Sequence, residues 1–333
     1  MRGVLLTGHG GYECLSVRDD LRVPVAGAGE VLVRIAAAAV NNTDVNTRLG
    51  WYSGGGWTGS FQFPRIQGID ACGVVAEIGG GVSPSLLGRR VLIEPCWRAP
   101  HEPLSAARFF GSEVDGAFAQ YAVVPERHAH PIDSPLTDVE LASFPCSYST
   151  AENMLVRAGV SVADRVLVTG ASGGVGSAVV QLAVGRGASV TALAGPTKHA
   201  PVRALGAIEV ADRDCDLIAT FGTAAFDVVI DVVGGPMWPS LLSALRPGGR
   251  YTTAGAIAGP DVALDLRTLY LNDITMFGCT VLGEGVFDGL VRSVERGDVK
   301  PLVAAEFALD EIVEAQKLFL TKQHIGKIVL RVG

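Results

Sequence analysis

Charge is scarce in this chain. Only 18% of its 333 residues are Asp, Glu, Lys or Arg, and the formal balance is −7. A shortage of cations argues against nucleic acid or an anionic membrane as the main partner. Long apolar runs are also missing. No uncharged apolar stretch of about 18 residues occurs, so no transmembrane helix is expected. The apolar start, Met1-Arg2-Gly3-Val4-Leu5-Leu6, is too short for a secretory signal and alternates like a first strand. Cysteine is sparse: six residues, at 14, 72, 96, 146, 215 and 279, with no C-x-x-C pair. That gives no disulfide framework and suits reduced thiols in the cytoplasm, most of them acting as small buried hydrophobes. Low-complexity tracts and repeats of about 20–50 residues are absent too.

What is present is apolar: 48% of the residues, enough for a large core. The length suits two domains. The first ~145 residues read as short strands and turns, with β-like segments at 30–40, 70–79 and 89–96 and glycine clusters at 54–56 and 79–81. From about Ser149 the texture changes. "TAENMLVRAG" reads as a helix. "RVLVTG", "SVTALAG", "FDVVIDVVGG" and "RYTTAGA" then read as strands, spaced by helix-like "VGSAVVQLAVGRG", "APVRALG" and "WPSLLSALRPGG". Apolar strands separated by helices imply βαβ units and a parallel sheet. "DGLVRSVERGDV" and "LDEIVEAQKLFLTKQ" look like amphipathic helices, and "GKIVLRV" like a final strand.

One loop in the second half is rich in glycine: Gly170-Ala171-Ser172-Gly173-Gly174-Val175-Gly176, between a strand at 166–169 and a helix at 175–184. A helix N-terminus offers unpaired N–H groups and partial positive charge, which attract phosphate. Residues without side chains let the backbone approach a pyrophosphate and let the helix pack on the strand. Ala171 stands where the first glycine of G-x-G-x-x-G belongs, but the strand–loop–helix context is the required one for a dinucleotide. After the second strand an NAD site would place Asp or Glu on the ribose hydroxyls. Here the residues are Ala194-Gly195-Pro196-Thr197-Lys198. No carboxylate repels a 2′-phosphate, and Lys198 and Arg213 are cations able to pair with one. NADPH is the expected cofactor.

The ordered segments "VNNTDVNTRLGWY", "GIDACGVVAEIG", "VLVTGASGGVGSAVVQLA", "FDVVIDVVGG", "LRPGGRYTTAG", "DLRTLYLNDITMFGCTV" and "GKIVLRV" resemble the medium-chain dehydrogenase/reductase superfamily, in its zinc-free quinone oxidoreductase (zeta-crystallin-like) branch. The resemblance runs the length of the chain. It implies an α/β fold: a Rossmann doubly wound parallel sheet at 148–282, plus a β-rich GroES-like catalytic domain at 1–147 and 283–333, with the active site in the cleft between them. It also implies a homodimer joined through the Rossmann sheet edge at "TMFGCTVL", with a tetramer as the alternative.

The resemblance bears on metal as well. Positions matching the Cys, His and Cys ligands of zinc-dependent relatives hold Asn41, Ile69 and Cys146. An aliphatic side chain cannot ligate and an amide ligates poorly, so no metal is expected. The relatives' structural-zinc lobe, about 94–115 here, has Cys96 as its one cysteine. It is read as a metal-free loop that shapes the substrate pocket or contacts a partner subunit.

Without a metal, hydride addition to an enone or quinone is the easier chemistry, because charge spreads onto an oxygen that hydrogen-bond donors stabilise. By resemblance the donors are Asn41, which lies near the nicotinamide in relatives, Thr43 and Tyr52. Asp44 braces the loop, Asp70 stands behind the site, and Tyr148 lines the cleft. Trp51, Trp57 and Phe61 around Gly54-Gly55-Gly56 form either an aromatic mouth or an ordinary loop. On the cofactor side the family pattern falls on Gly173, Gly174, Val175 and Gly176 at the pyrophosphate, and on Thr197, Lys198 and Arg213 at the adenosine phosphate. Gly255, Ala256, Cys279 and Thr280 flank the nicotinamide, and Lys327 closes the cleft. The expected activity is NADPH-dependent reduction of a quinone or α,β-unsaturated carbonyl. A metal-free alcohol or ketone dehydrogenase, or a non-catalytic NADPH-binding crystallin-like protein, are the alternatives.

Overall fold

The computed structural model describes residues 1–54, 61–99 and 101–333. The chain forms two compact units, Ser147–Val286 and Met1–Cys146 with Phe287–Gly333. No helix among the described residues is long and apolar enough to cross a membrane.

The Ser147–Val286 unit is built on six parallel strands. In spatial order they are Glu209–Asp212, Ser189–Ala194, Arg165–Val168, Phe226–Asp231, Leu245–Thr253 and Thr275–Gly278. The central strands are mainly Val, Leu, Ile and Ala and are buried apart from the exposed first residues Arg165 and Ser189. Such strands fit a sheet covered on both faces. The order reverses between Arg165–Val168 and Phe226–Asp231, so the loops after these two strands diverge and leave a crevice at their carboxyl ends. This is the Rossmann sheet that the strand–helix alternation predicts.

Some local readings need correction. The helix expected in "WPSLLSALRPGG" stops at Ala244, and Leu245–Thr253 is a strand. Pro247 and the glycines after it are poor helix residues, and Leu245 pairs with Phe226 instead. Two short helices, Leu217–Phe221 and Leu266–Leu271, were not expected. Each is capped by an aspartate, Asp216 or Asp265, and each is too short to show a 3.6-residue period.

The other unit is mostly antiparallel. Its largest sheet runs Ala129–Pro131, Arg90–Ile93, Cys72–Ile78, Glu30–Val40, Lys327–Arg331 and Val303–Ala308, with Tyr121–Pro125 also on Glu30–Val40. Val33, Ile35, Val75, Ile93, Phe118 and Leu330 are among the side chains of its core. The final strand matters most for the site. Ile328 lies opposite Val40, so Lys327, near the end of the sequence, stands beside Asn41.

Candidate functional site

In the Rossmann unit the glycine loop is shaped by two contacts. Gly170 takes φ +59°, in the left-handed region that favours glycine. Gly176 lies so close to it that a Cβ would sit 2.2 Å from the Gly170 carbonyl oxygen. The helix Gly174–Gly185 therefore begins tight against the end of strand Arg165–Val168. Its N-cap is Gly173, which has no side chain to cap the first turn. No side-chain bond caps the helix there, and first-turn N–H groups have no partner within a helix.

Asp231, at the end of strand Phe226–Asp231, organises the neighbouring loop. Its fully buried carboxylate accepts from Thr169 Oγ1 (2.5 Å), from the Tyr251 hydroxyl, and from the backbone N–H groups of Val233 (2.9 Å) and Gly234 (3.2 Å). The loop carrying Gly255 and Ala256 docks on this one: the Ala258 N–H donates to the Val233 carbonyl at 2.8 Å. The loops after three strands thus meet within one unit. Asp231 and Tyr251 were not among the expected residues. The available signal was a second aspartate at the end of the buried strand "FDVVID", after three apolar residues.

Farther along the sheet, Lys198 and Arg213 come together. Burial lowers the Lys198 pKa, and the neighbouring Arg213 charge lowers it further. Thr197 is exposed beside them. Arg213 Nε also meets the exposed Asp214 carboxylate at 3.4 Å, so an anion at this pair would compete with that contact. Cys279 and Thr280 were expected along the edge strand, but it ends at Gly278. The Gly278 carbonyl is taken by Arg157, Cys279 is buried, and Thr280 is exposed. Tyr148 was expected at the cleft. It is buried and its hydroxyl accepts from Gln181 Nε2 at 2.9 Å.

In the other unit the helix Asn42–Leu49 starts from Asn41. Thr43, Asn46 and Tyr52 gather on one side. The Tyr52 hydroxyl accepts from Asn46 Nδ2 at 3.4 Å and hydrogen-bonds with Thr43. Burial raises the Tyr52 pKa, and nearby Cys146 and Asp44 add to this, so the phenol keeps its proton. Tyr52 remains 36% exposed, enough to meet a ligand. Of the aromatic mouth, Gly55, Gly56 and Trp57 lie outside the described residues. Trp51 is exposed, and Phe61 packs edge-on with Phe63 at 4.8 Å.

Beneath these donors is a buried polar cluster. Asp70 is fully buried and accepts from the Cys146 N–H (2.6 Å), Asn41 Nδ2 (2.7 Å) and Lys327 Nζ (2.7 Å). Lys327 Nζ also donates to Asn41 Oδ1, and the second Asn41 amide hydrogen goes to the Ala39 carbonyl (3.1 Å). This revises two expectations. The Asn41 amide has both hydrogens engaged internally. Lys327 is 3% exposed and ion-paired inside the unit, so it does not reach out to a cofactor.

Asp44 braces the loop. It accepts from the N–H groups of Asn41 (2.8 Å) and Gly68 (3.2 Å), and its carbonyl accepts from Gln67 Nε2 (2.8 Å). Burial, reinforced by the Asp70 charge, pushes its pKa up to about 7. The unfolded carboxyl titrates near about 3.9. Between these values the folded state holds a proton that the unfolded state lacks. Stability contributed here therefore falls as pH rises from about 4 to about 7, by at most about 1.4 kcal/mol per pH unit. Asp44→Asn should flatten that dependence, as read from urea midpoints of both proteins at pH 5, 6 and 7. Parallel curves would show that Asp44 ionises normally.

Residues 27–134 match the alcohol dehydrogenase GroES-like domain, and residues 174–296 the family described as zinc-binding dehydrogenase. A crystal structure of a protein provisionally assigned as an alcohol dehydrogenase, from Sinorhizobium meliloti 1021, is 42% identical. It covers 100% of this chain and 97% of its own, with a TM-score of 0.95. The chain belongs to the medium-chain dehydrogenase/reductase superfamily. It is thereby an oxidoreductase. Two other relatives in the superfamily are acryloyl-coenzyme A reductase of Metallosphaera sedula and quinone oxidoreductase of Rattus norvegicus. The first is 29% identical over 99% of both chains. The second is 27% identical over 99% of this chain and 97% of its own.

Zinc is implied by one of these family descriptions, and the residues here do not fit it. At the positions matching the ligands, Ile69 has no donor atom, and the Asn41 amide oxygen already faces an ammonium. A divalent ion and the Lys327 ammonium would repel each other at that oxygen. Among the described residues no group of three His, Cys, Asp or Glu side chains is placed to hold a metal. In the former zinc lobe, Cys96 is buried, and Glu94 accepts from His128 (2.7 Å) and His130 (3.2 Å).

Proposed function

We propose that the protein is an NADPH-dependent reductase of quinones or α,β-unsaturated carbonyl compounds, in the quinone oxidoreductase branch of the superfamily, and that it works without metal. The observation that carries this reading is the Thr43–Tyr52 donor pair above an amide–ammonium–carboxylate cluster that leaves a metal no ligand set. The reduced nicotinamide, when bound, supplies the hydride. The chain's own residues do the rest. Gly173, Gly174, Val175 and Gly176 present backbone N–H groups to the pyrophosphate, and Lys198 and Arg213 with Thr197 take the 2′-phosphate. Gly255 and Ala256 sit on the nicotinamide side. Tyr52 and Thr43 donate to the substrate oxygen as charge builds there, and Tyr52 holds a proton that the reduced substrate can take.

Two further readings complete the proposal. Among the described residues the strand Thr275–Gly278 ends the Rossmann sheet with one edge unpaired, and Leu266, Tyr270 and Leu271 are exposed just before it. Such an edge invites pairing with a second copy, which gives a homodimer. Cys14, Cys72, Cys215 and Cys279 are free thiols, which suits the reducing cytoplasm.

The test is an NADPH-oxidation screen with quinones, 2-enals, enones and enoyl thioesters, with NADH as control. Simple ketones and aldehydes form a second arm, because the Sinorhizobium relative favours the alcohol dehydrogenase reading. Turnover only in the second arm would replace the proposal with that reading. NADPH binding without any turnover would leave a crystallin-like binder. Lys198→Ala with Arg213→Ala should cost about 100-fold in NADPH affinity and leave NADH affinity within about threefold, as expected for lost charge-assisted bonds to a phosphate. Equal losses for both cofactors would remove the 2′-phosphate from the account.

A further inference from the structure

The buried cluster under Thr43 and Tyr52 contains a charge that the proposed reaction does not consume. Lys327 comes from the strand Lys327–Arg331, whose register against Glu30–Val40 places it beside Asn41. Its ammonium meets Asp70 Oδ2 and Asn41 Oδ1, and Asp70 also receives the Cys146 N–H. One cation and one carboxylate thus tie together residues 41, 70 and 146, from three separate parts of the chain. Asn41 and Cys146 stand at two of the three positions that match zinc ligands in relatives. Here the protein supplies the positive charge from its own side chain.

We propose that Lys327 is a positioning residue: its ammonium is a built-in cation that fixes the Asn41 amide and, through it, the helix start that presents Thr43 to Tyr52. The link is short. Asn41 is the N-cap of Asn42–Leu49, and Thr43 lies in its first turn. The Asn41 amide has a single orientation that gives its oxygen to Lys327 and its nitrogen to Asp70 and Ala39. Without the ammonium, the amide oxygen loses its donor and Asp70 keeps an uncompensated buried charge. The helix start keeps its Asp44 bonds but loses the anchor on its N-cap side chain, and small shifts of a donor are costly in catalysis.

This inference rests on the proposed reductase activity, so its test has a readout that needs no turnover. Lys327→Met removes the charge. Asp70→Asn with Lys327→Met removes both charges and guards against a protein that fails to fold. Both variants are expected to lower kcat at least 10-fold, as when residues that orient reacting groups are lost, with NADPH affinity within about twofold of wild type. In the cofactor-free proteins, amide exchange over residues 41–49 and at Cys146 should quicken. Lys327→Ala should regain at least threefold in kcat with added methylammonium and nothing with tetramethylammonium at equal ionic strength. A folded double variant with wild-type exchange at 41–49 overturns the proposal, even if no substrate is ever found. So does wild-type kcat in that variant. Wild-type protein that reduces nothing, with exchange quickened in both variants, rejects the reductase reading and keeps the positioning role.

Discussion

Gly176→Ala should weaken NADPH binding by about 100-fold or more and lower the melting temperature, while Gly185→Ala in the same helix should do neither. Gly176 lies in the first turn of Gly174–Gly185 and Gly185 is its last residue. By helix propensity alone, each substitution would stabilise by roughly 0.5–1 kcal/mol. Their surroundings differ. A Cβ at 185 meets nothing within 4 Å, whereas at 176 it would lie 2.2 Å from the Gly170 oxygen and 2.8 Å from the Ala171 Cα. Both of those neighbours are backbone, with no rotamer to yield. The helix must back away from the strand end, and overpacking of this kind costs about 1–3 kcal/mol. The same retreat carries the first-turn N–H groups away from where the proposed cofactor's pyrophosphate would lie. A displacement of about 1 Å at a binding or reacting group is worth on the order of 100-fold. Fluorescence titration with NADPH reads the affinity and thermal melting the stability. Unchanged binding in Gly176→Ala would mean that this helix start does not hold the diphosphate.

Tyr52→Phe is expected to lower kcat by about 100-fold with KM changed little. The phenol is the exposed end of a donor pair with Thr43, and losing one preorganised donor to a developing oxyanion typically costs about 100- to 1000-fold. Thr43→Ala should cost less, because Tyr52 remains. The double variant should fall short of the product of the two, since they act on one oxygen. The pH profile gives a second check. Burial raises the Tyr52 pKa, so its proton is lost at higher pH than in free tyrosine. Activity that depends on the phenol should persist above the ordinary tyrosine range near about 10. If Tyr52→Phe retains a third of the wild-type kcat, donation must be assigned elsewhere.

The Rossmann unit was legible because its signals are local. Buried parallel strands show as continuous apolar runs, and the turn after the first one must be glycine-rich for the helix to close on it. The Lys198–Arg213 pair could be suspected from the missing carboxylate after strand Ser189–Ala194. Their nearness could not, because it depends on two loops that follow different strands. The other unit was legible only in part. "EVLVRIAAAAV" reads as a strand and is one, Glu30–Val40. Nothing near Asn41 in the chain announces that residue 327 will be its neighbour.

By itself the sequence determined the βαβ alternation, the glycine turn at 170–176, the absence of a zinc ligand at 69, and a short segment holding Thr43 and Tyr52. Period, turn chemistry and side-chain identity act over a few residues, so they can be read along the chain. The tertiary structure alone decided which polar groups are engaged and which remain available. Asn41 and Lys327, two of the expected contacts to cofactor or substrate, neutralise each other's needs around Asp70, because the pairing of the last strand with Glu30–Val40 buries them together. Burial and partnership of charges arise from contacts between distant segments, and no local pattern in the sequence encodes them.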